Sequence, residues 1–569
     1  MKLRIERPHA QALAQEFPEM AMLVDQLRLG AHAEVGLRQL APHVLDRLGQ
    51  LWESGAESQK RRAAQLRCLR EVLDDRRAER FKADDLERVV AALVRHIAAG
   101  ARRGWLFTAD TDSRPLAWCP TRIDYTPASN DETGKVFIEL KANAKAGVIA
   151  QTLRFTGGDI EGRSIAEMLL ARGLTRESAA LMDAYDITGE RYFEWRAQTG
   201  AQFEGRGTGY HAEDPGATHR DSDWLRKDVV ILSAQGGAAR LVNDEGVLQQ
   251  RNPSLEATGE LLANYLTKAA KSNNYSDEDE VKSLQAELRQ TRSDLFKRLP
   301  VHPLILMFHL DLHHHVWVHA DDLQPYAYQP QLKHKLVLPP EQTDLIDILT
   351  SEMDLLMDDI VAGKSGGTTV LCAGPPGVGK TLTAEVYAEI IRRPLYRVHS
   401  GQLGLNVSTM ETALKEVLLR AQRWGAVMLI DEADVYIKRR DDNLTMNAVV
   451  GVFLRVLEYF NGLLFLTTNR VDDIDEAIVS RCIALVRYHP PDAAGRQRIW
   501  RVMSEQFALD LDESAQAMLA ALFPAATGRD IKGLAKLAAK YCHHKRTTAT
   551  REVFLRCAMF RGLDPQLAA

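Results

Sequence analysis

The chain has 569 residues, enough for roughly three or four domains of ordinary size. Apolar residues make up 45% and charged residues 26% of the sequence, which is typical of a folded globular protein and argues against a disordered one. A formal net charge of −5 gives no overall attraction to nucleic acids or anionic membranes.

The cysteines and the apolar runs predict a cytoplasmic protein. Six cysteines are scattered without a C-x-x-C pair, as expected for reduced thiols. The first eight residues lack the apolar core of a signal peptide. No apolar run approaches the roughly 18 residues of a membrane span.

Three segments precede the most informative part of the chain. Residues 1–105 carry apolar side chains at helical spacing, as in Leu86–Val94, and predict a helical domain. Residues 106–270 contain short β-like runs such as Val136–Leu140 and Val229–Leu232, with a helix near Ile165–Ala171, and predict a β-rich mixed domain. Residues 271–339 predict a linker, formed by a polar stretch, a helix over Val281–Leu299 and two strands.

A glycine-rich loop predicts phosphate binding. Residues 374–381 read GPPGVGKT and match G-x-x-x-x-G-K-[ST], between an apolar strand and a helix. Backbone N–H groups at such a junction cradle phosphates. Lys380 supplies positive charge, and the Thr381 hydroxyl suits a Mg²⁺ shell. The predicted nucleotide-binding residues here are Gly374, Pro375, Pro376, Gly377, Val378, Gly379, Lys380, Thr381 and Leu382.

A second apolar strand ends in two acids. Residues 426–430 are apolar and are followed by Asp431 and Glu432. Ligands of open parallel sheets bind at the carboxyl ends of strands. We therefore expect Asp431 to hold Mg²⁺ together with Thr381, and Glu432 to act as the base for the attacking water. An acidic pair at a strand end is also common as a solvated cap.

Three further polar residues fit the same chemistry. Asn469 follows a third strand, and its amide could reach the γ-phosphate or orient the water, although asparagine at a strand end is usually a turn residue. Arg481 could reach from one subunit to its neighbour's phosphates, and Arg529 opens a C-terminal helix where a lid could contact them.

Residues 340–569 resemble an AAA ATPase domain, because they contain these motifs in the order in which that family carries them. The resemblance is strongest to a subgroup that includes the mitochondrial Rieske-protein translocase and fungal cytosolic AAA proteins. It implies an α/β P-loop subdomain with a parallel sheet at 340–490 and a helical lid at 491–569. It also implies ATP and Mg²⁺ as ligands, a homo-oligomer that is expected to be a hexamer, and roles for Asn469, Arg481 and Arg529 as sensor 1, arginine finger and sensor 2.

One departure from the family bears on mechanism. AAA proteins that thread peptides usually carry an aromatic residue in the loop after the second strand. Here residues 401–408 read GQLGLNVS, without an aromatic ring to grip a peptide. Leu405 and Val407 could grip only weakly, so peptide threading is in doubt.

Other features favour ordinary structural interpretations. Histidines 309, 313, 314, 315 and 319 could form a zinc site, but a partly solvated strand is favoured. The stretch Gly205–Gly209 predicts a turn, and the arginine-rich segment 60–82 predicts a salt-bridged helix face.

Three functions remain open. The first is an ATP-driven ring that remodels, assembles or disassembles a protein partner recognised through residues 1–330. The second is an oligomeric scaffold switched by nucleotide. The third, a nucleic-acid-directed motor, is disfavoured by the acidic balance.

Overall fold

The fold is taken from a computed structural model, whose description covers most of the chain. It describes residues 2–566 apart from 29, 31, 37–39, 56–58, 61, 64–65, 68–77, 110–113, 130–131, 146, 213–228, 233–236, 249–254, 256–294, 352–366, 405–406, 441–443 and 459.

The chain forms two compact units. The first comprises Met1–Trp195, Leu248–Ile305 and His319–Asp321, and the second comprises Arg196–Val247, Leu306–Val318 and Asp322–Ala569.

The first unit contains helices and two antiparallel sheets. Its strands are β1 (Lys2–Glu6), β2 (His32–Gly36), β3 (Leu106–Ala109), β4 (Pro115–Thr126), β5 (Lys135–Ala144), β6 (Gly147–Thr156) and β7 (Thr175–Arg176). Its helices are α1 (Arg7–Glu16), α2 (Ala21–Gln26), α3 (Pro42–Glu53), α4 (Leu86–Ala98), α5 (Gly157–Ile160), α6 (Ile165–Ala171) and α7 (Ala179–Ala197).

Each sheet of the first unit has its own core. Strands β1 and β2 pair with each other beside α1–α3, and β6-β5-β4-β3-β7 form a five-stranded sheet packed on α4 and α6. Helix α4 faces this sheet with Val89, Leu93 and Ile97, which are fully buried at helical spacing. Ser164 begins α6 with a capping box, in which the Glu167 side chain accepts from the Ser164 backbone N–H.

The second unit begins with a seven-stranded sheet. Its order is β10-β9-β13-β12-β11-β8-β14, formed by β8 (Gln202–Gly205), β9 (Thr208–His211), β10 (Val229–Ile231), β11 (Ala239–Asn243), β12 (Leu304–His309), β13 (His314–His319) and β14 (Leu323–Pro325).

A five-stranded parallel sheet forms the centre of the predicted nucleotide-binding core. Its order is β16-β17-β18-β15-β19, with β15 (Thr368–Ala373), β16 (Leu395–His399), β17 (Val427–Asp431), β18 (Leu463–Thr468) and β19 (Ala484–Arg487). Its helices are α8 (Pro340–Ser351), α9 (Lys380–Ile390), α10 (Ser400–Leu403), α11 (Val407–Trp424), α12 (Asp434–Ile437), α13 (Leu444–Leu457) and α14 (Glu476–Val479). Because all five strands run parallel, their carboxyl ends lie at one edge.

A helical subdomain completes the second unit. Helices α15 (Ala493–Phe507), α16 (Glu513–Leu522), α17 (Gly528–Lys545) and α18 (Arg551–Met559) pack around Trp500 and Phe554. Asp492, Asp512 and Thr527 each accept a backbone N–H at the start of a helix, so side-chain caps set the beginnings of three of the four helices.

A buried carboxylate joins the seven-stranded sheet to helix α11. Asp244 follows β11 and is fully buried. Its oxygens accept from Arg423 at 3.0 Å and from the Trp424 indole at 2.8 Å, and His315 Nε2 lies 2.8 Å away. Phe308 packs against Trp424, with ring centroids 5.0 Å apart and the rings tilted by 48°, so polar and aromatic contacts join these two parts of the unit.

Some predictions need correction. Residues 1–105, predicted as helical, also contain the β1–β2 sheet; these strands are five residues long, too short for alternation to stand out. The compact units also differ from the boundaries predicted at 270 and 339, because 196–247 pairs into the same sheet as residues after 303. The predicted helix Val281–Leu299 lies outside the described residues except for its last five, of which 295–297 form a turn.

Candidate nucleotide-binding and active site

The glycine-rich loop lies between β15 and α9, as its sequence predicts. Gly377 and Gly379 have φ values of +84° and +103°, a conformation that favours glycine. A Cβ atom on Gly377 would also lie 2.8 Å from Thr527 Oγ1. The loop therefore needs glycine at position 377 both for its backbone conformation and for its close approach to the start of α17.

Lys380 is held among three oxygens. Its ammonium donates to the carbonyls of Gly374 at 2.8 Å and Pro375 at 2.7 Å, and to Asn469 Oδ1 at 3.0 Å. Burial lowers the pKa of Lys380, and the nearby carboxylates of Asp431 and Asp434 oppose this shift without cancelling it. The contact with Asn469 brings two residues predicted from separate motifs together.

Asp431 is the most heavily bonded carboxylate of the site. Its Oδ1 accepts from Thr381 Oγ1 at 3.0 Å and from Thr467 Oγ1, while its Oδ2 pairs with Arg397 Nη2. Burial alone would raise the pKa of Asp431, but the hydrogen bond from Thr467, the charge of Arg397 and the Thr381 hydroxyl outweigh it. The pKa of Asp431 is therefore lowered, and the carboxylate is ionised at neutral pH.

Glu432 projects from a strained backbone position. Its φ is +54°, which is uncommon for a residue other than glycine, and its backbone N–H donates to Thr467 Oγ1 at 3.0 Å. Thr467 thus binds both acids, since its hydroxyl accepts from Glu432 and donates to Asp431. This holds the exposed Glu432 side chain at the cleft.

Asn469 is positioned from its other side by Asp434. The Asn469 backbone N–H donates to Asp434 Oδ1 at 3.1 Å, and the Thr468 hydroxyl bonds to the same oxygen. Strand β18 therefore delivers Asn469 to the Lys380 ammonium through contacts that fix its backbone.

These groups line one cleft of about 780 Å³. Its lining includes the apolar residues Leu336–Leu338 with Ile499 and Met503 of the helical subdomain. It also includes the predicted residues Pro376 to Leu382, Asp431, Glu432, Asn469 and Arg529. A cleft lined by both apolar and charged side chains suits a nucleotide, whose base is flat and whose phosphates are anionic.

Three of the predicted residues lie outside the cleft lining. Gly374 and Pro375 act through their carbonyls on Lys380. Arg481 is exposed, donates to the Ala477 carbonyl at 3.2 Å and lies 4.0 Å from Glu458. The structure thus brings the phosphate-loop, acidic and sensor residues together and leaves Arg481 apart from them.

The sequence analysis missed several lining residues. Arg397 and Thr467 contact Asp431 directly, and Lys532 and Arg240 also line the cleft. The alternation of Leu395, Arg397 and His399 on one face of β16 could have indicated Arg397, since Tyr396 and Val398 are buried on the other. Arg240 carries no local signal because it comes from strand β11, far from the motifs in sequence, whereas Lys532 follows Arg529 by three residues on α17 and could have been indicated by that spacing.

The residues fit Mg²⁺. Thr381 donates its proton to Asp431, which leaves hydroxyl lone pairs beside an ionised carboxylate. Hydroxyl and carboxylate oxygens are the donors that Mg²⁺ prefers. Thr381 and Asp431 would hold the ion, which would neutralise phosphate charge when bound.

The histidine-rich strand does not support a metal site. No group of three or more histidines, cysteines or acids that could hold a metal occurs among the residues described. His309, His315 and His319 are buried, whereas His313 and His314 are partly exposed, as expected of a partly solvated segment. In the loop after the second strand of the parallel sheet, Leu405 lies outside the described residues, and Val407 begins α11.

Comparison with known proteins agrees with the geometry. Residues 370–488 match the family model described as "ATPase family associated with various cellular activities (AAA)". This range contains the phosphate loop, both acids, Asn469 and Arg481.

Curated relatives match over a limited length. Human peroxisomal ATPase PEX1 is 32% identical over 29% of this chain and 14% of its own length. An uncharacterised AAA domain-containing protein of Schizosaccharomyces pombe is 34% identical over 26% of this chain and 20% of its own length. The proteasome-activating nucleotidase of Pyrococcus furiosus is 29% identical over 33% of this chain and 50% of its own length.

The matched segments thus span half or less of these relatives. In the part of the chain that the structure describes, no helix is long and apolar enough to cross a bilayer. The family match and the site that it contains lead to one identification: residues 370–488 of this chain are an AAA ATPase domain.

Proposed function

We propose that this chain hydrolyses ATP at the junctions of a homo-oligomeric ring and uses the energy to remodel, assemble or disassemble a protein partner. The observation that carries the proposal is the single cleft that gathers Lys380, Thr381, Asp431, Glu432 and Asn469. Lys380, Asn469 and Arg529 bind phosphate oxygens, Thr381 and Asp431 hold Mg²⁺, and Glu432 takes a proton from the attacking water.

The position of Arg481 supports a shared site. Its guanidinium lies outside the cleft of its own chain and is exposed, as a group that completes a neighbour's site must be. An arginine contributed from outside can stabilise the charge on the transferred phosphoryl group by about 10³–10⁵ in rate. A hexameric ring is proposed from the family resemblance, and a cytoplasmic location from the scattered cysteines.

Mixing two inactive variants tests the shared site. Glu432→Gln removes the base and Arg481→Ala removes the arginine, so each alone should lose most ATPase activity. In an equal mixture about a quarter of the junctions combine an intact base with an intact arginine, so activity should return to about a quarter of the wild-type value. Arg501→Ala is the control, since Arg501 pairs with Glu513 at an exposed surface.

An inactive mixture, or full activity of Arg481→Ala alone, would contradict the shared site. Full ATPase activity of Glu432→Gln would contradict the role of that carboxylate. Wild-type protein that binds no ATP would contradict the whole proposal.

The partner is proposed to be a protein, bound through residues 1–330. Two relatives carry names that refer to proteasomes, the nucleotidase above and an Arabidopsis thaliana 26S proteasome regulatory subunit 7 homologue that is 28% identical. These names favour a protein as the partner on which this chain acts.

A nucleotide-switched scaffold is the second candidate, because residues 401–408 contain no aromatic side chain to grip a threaded peptide. Size measurements of Glu432→Gln with ATP and of the wild type with ADP discriminate the two. Different oligomers support the switch, and identical oligomers contradict it.

A further inference from the structure

The carboxylate of Asp431 is divided between neutral and charged donors. Its Oδ1 accepts from the hydroxyls of Thr381 and Thr467, whereas its Oδ2 takes the guanidinium of Arg397. The hydroxyls can stay in place beside a bound cation, because they carry no net charge. A guanidinium cannot do so without repulsion.

We infer that Arg397 is the counter-ion of Asp431 and competes with Mg²⁺ for this carboxylate, so that it sets the metal requirement of nucleotide binding. The inference rests on the proposed function and adds a positioning residue that the sequence motifs do not contain.

The fold directs Arg397 to this point. Strand β16 lies at the edge of the parallel sheet and pairs with β17, with Arg397 opposite Leu429 and His399 opposite Asp431. Tyr396 and Val398 are buried on the other face of β16. Arg397 therefore lines the cleft two residues before the position that pairs with Asp431, and its side chain reaches the Asp431 carboxylate.

The guanidinium is bound by charge more than by a complete set of hydrogen bonds. Its Nη2 contacts Asp431, while its buried Nε has no hydrogen-bond partner among the described residues. Its side chain is 40% exposed, so solvent leaves room for it to move. Moving this guanidinium away from the carboxylate therefore costs less free energy than moving a fully buried one.

Glu385 provides the second partner that such a displacement needs. Its Oε1 lies 3.6 Å from Arg397 Nη1, on helix α9 just after the phosphate loop. When Arg397 moves away from Asp431, its charge stays compensated by Glu385. Arg397 thus lies beside two carboxylates, one at each terminal nitrogen, and only one of them belongs to the predicted metal site.

Magnesium titration of nucleotide binding tests this role. The probe is a fluorescent N-methylanthraniloyl ATP, measured by anisotropy with Mg²⁺ varied from excess EDTA to saturation. Removing a unit charge about 5 Å from a divalent ion lowers the Mg²⁺ concentration at half-saturation on the order of tenfold. Arg397→Gln should show this decrease, with nucleotide affinity at saturating Mg²⁺ equal to or tighter than that of the wild type.

Two control variants separate charge from structure. Arg397→Lys keeps the charge and should titrate close to the wild type. Arg501→Gln removes a cation outside the cleft lining that pairs with Glu513 at an exposed surface, and should also leave the titration unchanged. Equal thermal unfolding temperatures without nucleotide check that each variant folds.

The outcomes are distinct. A midpoint for Arg397→Gln within about twofold of the wild type, or a higher one, overturns the role of Arg397. Weaker nucleotide binding by Arg397→Gln at saturating Mg²⁺ overturns it as well, because the arginine would then contact phosphate. Wild-type protein without any nucleotide binding would instead overturn the proposed function, and this assignment with it.

Discussion

Two aspartates of the second unit, Asp431 and Asp244, each follow or end a strand and each accept three or more hydrogen bonds, yet they serve different purposes. Asp244 is fully buried, and its donors are a histidine, an arginine and an indole. Asp431 lines a cleft, and two of its donors are neutral hydroxyls. The comparison teaches that the kind of donor and the access to the carboxylate distinguish a metal-binding acid from a structural one.

The pKa values alone do not separate them. Burial raises the pKa of Asp244, but the hydrogen bond from His315, the charge of Arg423 and the Trp424 indole outweigh it. The pKa of Asp431 is lowered by an analogous balance. Both carboxylates are ionised at neutral pH, so function follows from what else can reach them.

The largest expected effect lies at the cleft. Asp431→Asn should lower ATP hydrolysis by at least about 100-fold, because a neutral amide holds Mg²⁺ poorly. The free energy of unfolding should change by less than about 1 kcal/mol, since Arg397 is partly exposed and keeps Glu385 nearby. A steady-state ATPase assay and calorimetry measure the two quantities, and unchanged hydrolysis would contradict the role of Asp431 as a metal-binding acid.

The reverse pattern is expected at Asp244. Asp244→Asn should lower the free energy of unfolding of the second unit by about 3 kcal/mol. The guanidinium of Arg423 would then lose its buried, negatively charged partner. Binding of ATP by the folded protein should persist. Asp311→Asn, which breaks the exposed pair with Arg240, is the matched control and should cost less than about 1 kcal/mol.

If Asp244→Asn and Asp311→Asn have the same free energy of unfolding in urea, the hydrogen bonds of buried Asp244 do not stabilise the second unit. If the Asp244→Asn protein is folded but no longer binds nucleotide, Asp244 also contributes to nucleotide binding, and its role is not only structural.

A smaller effect isolates one donor of the cluster. Trp424→Phe keeps an aromatic ring beside Phe308 but removes the 2.8 Å hydrogen bond to Asp244. The loss should be about 1–2 kcal/mol. Urea unfolding of this variant should fall between the wild type and Asp244→Asn, and a loss equal to that of Asp244→Asn would mean that the ring packing dominates.

The smallest effect concerns acid stability. Because both folded-state pKa values are lowered, each carboxylate adds stability above the unfolded-state value near 4, and this stability is lost as the pH falls through the folded-state pKa. The unfolding free energy of the wild type should decrease below about pH 4. Asp244→Asn should have a shallower slope there, by at most about 1.4 kcal/mol per pH unit for one proton. Parallel acid titrations of the two proteins would show that Asp244 does not contribute.

Much of the site could be predicted from local sequence. The phosphate loop, the acids 431 and 432 and Asn469 each directly adjoin or end an apolar strand, and parallel strands bring such ends to one edge. Arg397 was missed because an arginine on a strand is ordinary until its partner is known. The Asp244 cluster was missed because Asp244 and Arg423 are 179 residues apart, and His315 was considered only with its neighbouring histidines.

The sequence by itself determined the chemistry of the loop, since a strand, a run of glycines, a lysine and a helix in that order leave one conformation that exposes backbone N–H groups to phosphate. The sequence motifs also predicted the AAA domain that residues 370–488 match. Only the tertiary structure decided which carboxylate faces a cleft and which is enclosed, and which arginine reaches each one. Those choices depend on strand order and on contacts between distant segments, which no local pattern encodes.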